Sequence, residues 1–184
     1  MVARTRNPRS LLEHHQARDA LERGHLARMR ELCESIADPL SRSSFEPGHF
    51  TASAFILSPE SDALLLIFHG KLQRWLQPGG HVDVDDADLL AAALREAREE
   101  VGIVDLEPVL PGPLDVDVHE IPPLRGEPAH AHFDVRFLFR ARTRAFQAAS
   151  DAKAARWVPL DAIDAETSDE SVLRAVAKIR ACVR

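Results

Sequence analysis

Apolar residues recur along this chain with two different periods. Between Leu11 and Ile36, Leu12, Ala17, Leu21, Leu26, Met29, Leu32 and Ile36 are set among charges at helical spacing, which predicts one long or two shorter amphipathic helices. Pro39 and Pro47 then mark a loop, with Pro47-Gly48 expected as a turn. The period changes after it. Residues 50–57 and 63–68 are apolar runs of strand length, joined by the turn residues Ser58, Pro59, Glu60, Ser61 and Asp62. Helical spacing returns at Leu90, Leu94, Ala97 and Val101, while Glu96, Glu99 and Glu100 fall on a different arc of the same helix. Asp85, Asp86 or Asp88 can cap its first turn, and Gly102 is placed to end it. Strands are expected near 104–110, 113–120, 129–142 and 156–158, then a short helix near 159–165 and a last helix from about Asp169 to Val183. Mixed strands, a helix after a glycine turn and more helix at the C-terminus predict an α/β fold, layered as an α/β/α sandwich.

Composition narrows the class. The chain has 184 residues, of which 45% are hydrophobic, enough for one core. No apolar run approaches the roughly 18 residues of a membrane helix. The start, Met1-Val2-Ala3-Arg4-Thr5-Arg6, has charge but no apolar stretch behind it, so it does not read as a secretory signal, and the cytoplasm is the expected compartment. Cys33 and Cys182 lack the spacing of a cysteine zinc site or a disulfide framework. A formal charge of −6 argues against a nucleic-acid surface.

The candidate chemistry lies in Gly79-Gly80-His81-Val82-Asp83 and the run from Leu94 to Ile103. Like charges three and four residues apart cost a helix a few tenths of a kcal/mol per pair, and a hard divalent cation offsets that repulsion. Arg95, one turn before Glu99 and next to Glu96, is placed to orient a carboxylate. These residues resemble the box of the Nudix hydrolase (MutT-like) family, G-x5-E-x7-R-E-U-x-E-E-x-G-U, with U aliphatic. Arg95, Glu96, Ala97, Glu99, Glu100, Gly102 and Ile103 all match its second half. The first half departs, because the distance from Gly80 to Arg95 is one residue too long, and Asp85 or Asp86 stands in for the first Glu.

The resemblance covers roughly residues 50–165 and implies a Nudix-type α/β/α sandwich with a mixed β-sheet. The chain then divides into an N-terminal helical extension, 1–48, and a Nudix hydrolase domain, 49–184. The extension is expected as a packing arm or a homodimer contact. Carried over by position, Glu96, Glu99 and Glu100 bind Mg²⁺ or Mn²⁺, a backbone carbonyl of Gly79 or Gly80 adds a ligand, and Arg95 orients. The implied reaction is hydrolysis of a nucleoside diphosphate linked to another moiety X, a small-molecule substrate, with no nucleic acid and no membrane as partner. The general base stays open between Glu99 or Glu100 and an acid on a later loop, such as Glu120 or Glu127.

Outside the box, alternation puts His130, His132 and Asp134 on one side of a strand, which suits a phosphate, metal or proton-transfer role and equally a polar outer face. His81 follows the glycine loop where phosphates are expected. Lys71 and Arg74 can attract a diphosphate, whereas Trp75, with Leu72 and Leu76, is expected to pack the core, and Trp157 is expected to be structural. The rival reading is a catalytically inactive Nudix-fold nucleotide-binding or regulatory module, which a degenerate box would favour. A prenyl diphosphate isomerase would need a cysteine near the box, and neither cysteine is there. ADP-ribose, a nucleotide sugar, an oxidised nucleoside triphosphate, a dinucleoside polyphosphate and a CDP-alcohol all remain open, since loops outside the box read the leaving group.

Overall fold

The computed structural model describes residues 8–70, 72–124, 126–148 and 154–183. The N-terminal periodicity resolves into two helices, α1 (Arg9–His14) and α2 (Ala20–Ser35), the second capped by the Asp19 side chain accepting from the Glu22 amide. Strands β1 (Gly48–Leu57) and β2 (Ala63–His69) form the expected antiparallel pair. Pro47-Gly48, expected as a turn, instead leads directly into β1, where the Pro47 carbonyl accepts from the Ala131 amide. Two three-residue strands follow, β3 (Arg74–Leu76) and β4 (Gly79–His81), and then helix α3 (Leu89–Val101). The remaining elements are β5 (Leu106–Pro108), β6 (Asp115–Ile121), β7 (His130–Ala141), β8 (Ala155–Pro159), a single 3-10 turn at Leu160–Ala162, and α4 (Glu170–Cys182).

The central ladder pairs β1 with β7 in parallel, from Gly48 opposite Ala131 to Leu57 opposite Arg140. All other pairings are antiparallel: β2, β3 and β8 extend one side, β5 and β6 pair with β7, and β4 pairs with β1. The mixed sheet has helices on both faces. On one face Leu89, Ala92, Ala93, Ala97 and Val101 of α3 join Phe50, Ala52, Val135 and Phe137, and the small alanines let the helix lie close to the strands. Leu90 and Leu94, expected on the buried stripe, are only partly covered at its margin. On the other face Val172, Ala175, Val176 and Ile179 of α4 pack on Phe55, Leu64, Leu66 and Leu138. Leu12, Leu26, Met29 and Leu32 of the N-terminal helices are buried in the same cluster as α3, so the extension shares the core of the sheet.

A buried ion network ties these layers together. The Arg136 guanidinium, 2% exposed, donates to Asp134 at 2.9 Å and to Asp115 at 3.2 Å, lies 3.2 Å from Asp117, and donates to the Ser171 carbonyl of α4 at 3.1 Å. Arg174 reaches Asp115 and Asp117, each at 2.8 Å, and Lys178 joins Asp115 to Glu22 of α2, the latter at 2.6 Å. Burial pushes the Glu22 carboxyl up, but hydrogen bonds from His15, Lys178 and the Arg18 amide outweigh it and hold it at about 2 against an ordinary 4.5. The folded pKa is depressed, so this stabilisation is complete above pH 4.5 and is lost as pH falls toward 2.

Arg136→Met leaves the buried Asp134 carboxylate without a cation while Asp115 and Asp117 keep Arg174, and urea denaturation should show a loss of about 3–5 kcal/mol. Arg142→Met, which breaks an exposed pair with Glu107, should cost less than about 1 kcal/mol. In an acid titration the Glu22 contribution should decline below pH 4.5, and Lys178→Met should flatten that decline.

Candidate active site

Helix α3 begins where Asp88 caps the Ala91 amide at 2.9 Å and ends at Gly102, which takes a left-handed conformation with φ of 67°. This fixes the rotation of the helix and turns its acids toward β4. Gly79 and Gly80 lie against them. The Gly79 amide donates to Glu100 Oε2 at 2.9 Å, and a Cβ on Gly80 would stand 2.6 Å from Glu96 Oε1. At Gly79 a Cβ would meet the Ala52 carbonyl oxygen at 2.8 Å and the Ser53 side chain. The two glycines therefore let the loop backbone approach both a strand, at Gly79, and a glutamate side chain, at Gly80.

Arg95 joins the helix to the loop before it. Its guanidinium donates to Asp86 through Nε (3.1 Å) and Nη2 (3.0 Å), to the His81 carbonyl through Nη2 (2.7 Å), and to Glu96 and Glu99 through Nη1 (both 2.9 Å). Asp86 is buried and Asp85 is exposed, so Asp86 occupies the place opposite Arg95 where the longer spacing had left both open. These hydrogen bonds, that to Asp86 foremost, hold the guanidinium pKa above its usual value. Burial pushes the Glu96 carboxyl up, Arg95 opposes this, and the charges of Glu99 and Asp83 add to the rise. Glu96 is thus a half-buried carboxylate with more negative charge around it than one guanidinium neutralises.

A cleft of about 640 Å³ opens beside the loop. Gly79, Gly80, His81 and Glu100 line it, and across from them lie Asp117, His119, His132 and Asp134. Glu96 turns toward the Gly80 backbone, and Glu99, 57% exposed at its side chain, is held by Arg95 at the surface. A second concavity of about 720 Å³, between α1 and residues 110–114, has no carboxylate among its lining residues.

Of the residues expected to bind substrate, Gly79, His81 and His132 line the cleft. His130 is buried behind His132, their Nε2 atoms 3.3 Å apart. Arg74 is exposed on β3 and does not line the cleft, and Lys71 lies outside the described residues. Leu72, expected in the core with Trp75, is 58% exposed and lines the cleft instead. Trp75 is partly buried, with the Arg156 guanidinium 4.1 Å from its ring centre. Trp157 also packs on the core and donates to the Arg144 carbonyl. Glu120 and Glu127 pair with Arg28 and Arg42 at the surface, and neither lines the cleft.

Sequence reasoning passed over His49, Asp117, His119, Ser53 and Gln77. The alternation Asp115-Val116-Asp117-Val118-His119 carried the same signal as His130 to Asp134. Ser53 donates to both Asp134 oxygens at 2.8 Å, and Gln77 Oε1 is buried without a hydrogen-bond partner. Burial works against ionisation of Asp117, but the hydrogen bond from His119 and the charges of Arg136 and Arg174 hold its carboxyl well below the usual range.

The site thus sets a double-glycine strand of a mixed sheet, between helical layers, against a glutamate-bearing helix. The family model for the NUDIX domain matches residues 47–177, and the chain belongs to the Nudix family. Its class is that of the pyrophosphohydrolases. No curated protein matches it in sequence. Among solved structures, a NUDIX-family hydrolase from Clostridium perfringens is 22% identical with a TM-score of 0.55, over 72% of this chain and 97% of that one. The C. elegans Ap4A hydrolase in a binary complex is 18% identical with a TM-score of 0.56, over 72% of this chain and 95% of that one. The NUDIX domain of Shewanella oneidensis NrtR, complexed with ADP ribose, is 19% identical with a TM-score of 0.56, over 73% and 88%. At these identities the likeness is one of fold.

Because Gly79 is hemmed in by the β1 backbone at Ala52 and Ser53 as well as by the Ser53 hydroxyl, Gly79→Ala should cost about 1–3 kcal/mol in urea denaturation. Gly80 faces the end of a flexible side chain, so Gly80→Ala should cost less than about 1 kcal/mol, Glu96 swinging aside.

Proposed function

We propose that this chain hydrolyses the diphosphate linkage of a nucleoside diphosphate joined to another moiety X, with Mg²⁺ or Mn²⁺ as cofactor. The observation that carries the reading is the convergence of Glu96 and Glu100 on the Gly79-Gly80 backbone at the edge of the cleft, with Arg95 holding loop and helix together. The donor set fits a hard cation. Carboxylate oxygens of Glu96, Glu99 and Glu100 and the Gly80 carbonyl are the ligand types that Mg²⁺ takes alongside water and substrate phosphate. Once bound, the ion supplies a water of lowered pKa and neutralises charge on the diphosphate.

The protein's own groups divide the remaining work. Glu100 lines the cleft and is oriented by the Gly79 amide, which favours it over Glu99 as the carboxylate that takes the proton of the attacking water. Arg95 acts by position: each of its donors is already occupied by a carboxylate or the His81 carbonyl, so it holds the ligands rather than the phosphates. Gln77 lines the cleft and its buried Oε1 has no internal partner, so a turn of that side chain would give the N–H of a nucleobase an acceptor. Solved structures of this fold include an Ap4A hydrolase, a domain holding ADP ribose and a dihydroneopterin triphosphate pyrophosphohydrolase, and each of those compounds contains a phosphoric anhydride.

A panel of nucleoside diphosphate derivatives incubated with Mg²⁺ or Mn²⁺ tests the reading by release of phosphorylated products. Turnover should require the cation and stop on chelation. Glu100→Gln should reduce kcat by about 10²- to 10⁴-fold, the range of a lost general base, and Glu99→Gln by less. Binding of a nucleotide without turnover would establish the inactive binding module instead. Equal turnover by the native chain and a combined Glu96→Gln and Glu100→Gln variant would remove the mechanism.

A further inference from the structure

Behind and along the cleft wall is a second group of ligand atoms that the glutamate chemistry does not use: His81 and His132 line the cleft, and His49 is buried against them. His49 on β1, His81 on β4 and His132 on β7 are brought together by register: His81 pairs with Thr51, two residues from His49, and His49 pairs with His132 in the parallel ladder. Their ring centres form a nearly equilateral triangle, 5.2 Å from His49 to His81, 5.0 Å from His49 to His132 and 5.2 Å from His81 to His132. Each ring offers a nitrogen, and the three nitrogens lie within 4.8 Å of one another.

The hydrogen bonds around the triangle fix which nitrogens are available. His49 Nδ1 lies 3.0 Å from the Ser44 carbonyl, which can only accept, so Nδ1 carries the proton and Nε2 holds the lone pair. That Nε2 is buried, in a residue 1% exposed overall, and has no hydrogen-bond partner. His130 repeats the pattern, its Nδ1 donating to the Pro128 carbonyl at 2.8 Å. His130 Nε2 is therefore an acceptor, and His132 Nε2–H donates to it at 3.3 Å, which leaves Nδ1 as the lone-pair nitrogen of His132. Metal-binding imidazoles are typically oriented in this way, with the second nitrogen donating to a carbonyl or another acceptor.

From the orphaned Nε2 and the three converging rings, we propose that His49, His81 and His132 form a binding site for a divalent transition-metal ion of the zinc class, separate from the oxygen ligands of α3. Imidazole nitrogen suits Zn²⁺, Co²⁺ or Ni²⁺ and is a poor match for Mg²⁺, so chemistry divides the two sites by ion type. Three protein ligands leave a fourth position, and the cleft lined by His81 and His132 faces it, so a water or a phosphate oxygen completes the sphere. Zn–N bonds of about 2.0–2.1 Å require the rings to draw inward on binding. The site stands independently of the proposed hydrolysis.

The test uses the full chain purified without a histidine tag, with Zn²⁺ and Co²⁺ as probes. One Zn²⁺ per chain should be measured by competition with a chromophoric chelator, and Co²⁺ should give the intense visible bands of a low-coordinate nitrogen site. Losing an outer partner of a ligand weakens metal binding about 10–100-fold, so His81→Gln and His132→Gln, each losing a ligand, should weaken it by more than ~100-fold. Combined Glu96→Gln and Glu100→Gln should leave it unchanged. Should the histidine variants fail to fold, ¹⁵N spectra of the native chain's imidazoles decide: Zn²⁺ should shift His49 Nε2 while Nδ1 stays protonated. The proposal is overturned if the native chain takes up neither ion, if the two folded histidine variants bind as tightly as it does, if the Co²⁺ bands disappear with the glutamates instead, or if Zn²⁺ leaves His49 Nε2 unmoved.

Discussion

The guanidinium of Arg95 is the constraint on which the site depends. It gathers three carboxylates and one carbonyl, which come from the end of β4, the loop after it and helix α3. Without it Glu96, Glu99 and Asp86 would repel one another, and Asp86 would lose its ion pair to helix α3. With it, Glu96 stays half-buried beside Gly80, and Glu100 is held by the Gly79 amide. The planar fork matters, because a lysine ammonium could not serve Asp86 through two nitrogens while reaching His81 and Glu96 with the same group.

What was legible in the sequence was what local spacing encodes. The helix 89–101, its stop at Gly102 and the acids on one arc follow from 3.6-residue periodicity, and the strands 50–57 and 129–142 follow from run length and alternation. The N-terminal helices were also readable, though whether they formed one segment or two depended on residues 15–19, where no periodicity decides. The cap was open among three aspartates because all three can serve; the backbone at Asp88 made the choice and released Asp86 for Arg95. Local rules failed where register or tertiary packing decided. His49 enters the site only because β1 and β7 run parallel with His49 opposite His132, a pairing between residues 83 positions apart in the chain. Leu72 looked like core by composition, yet the cleft beside it leaves nothing to cover its side chain.

The buried network explains how so much charge is tolerated beneath the cleft. Asp115, Asp117 and Asp134 alternate with apolar residues on neighbouring strands, so their side chains share one face of the sheet, and Arg136, Arg174 and Lys178 meet them there. The chain of contacts runs from Glu22 on α2 through Lys178 and Asp115 to Arg136, and ends at Asp117 and His119 on the cleft wall. The N-terminal extension is thereby coupled to the floor of the site through ion pairs as well as through Leu26 and Met29 in the core. The carboxylates of helix α3 and the imidazoles on the strand faces of β1, β4 and β7 thus come from different elements of the fold.

The central claim is that the glutamates of α3 are arranged as ligands of a divalent cation. Anomalous scattering from crystals equilibrated with Mn²⁺ tests it most directly. The account predicts a manganese peak bonded to oxygens of Glu96 and Glu100 beside the Gly80 carbonyl. Glu96 still on Arg95 and Glu100 still on the Gly79 amide, with no anomalous density between them at saturating Mn²⁺, would contradict it.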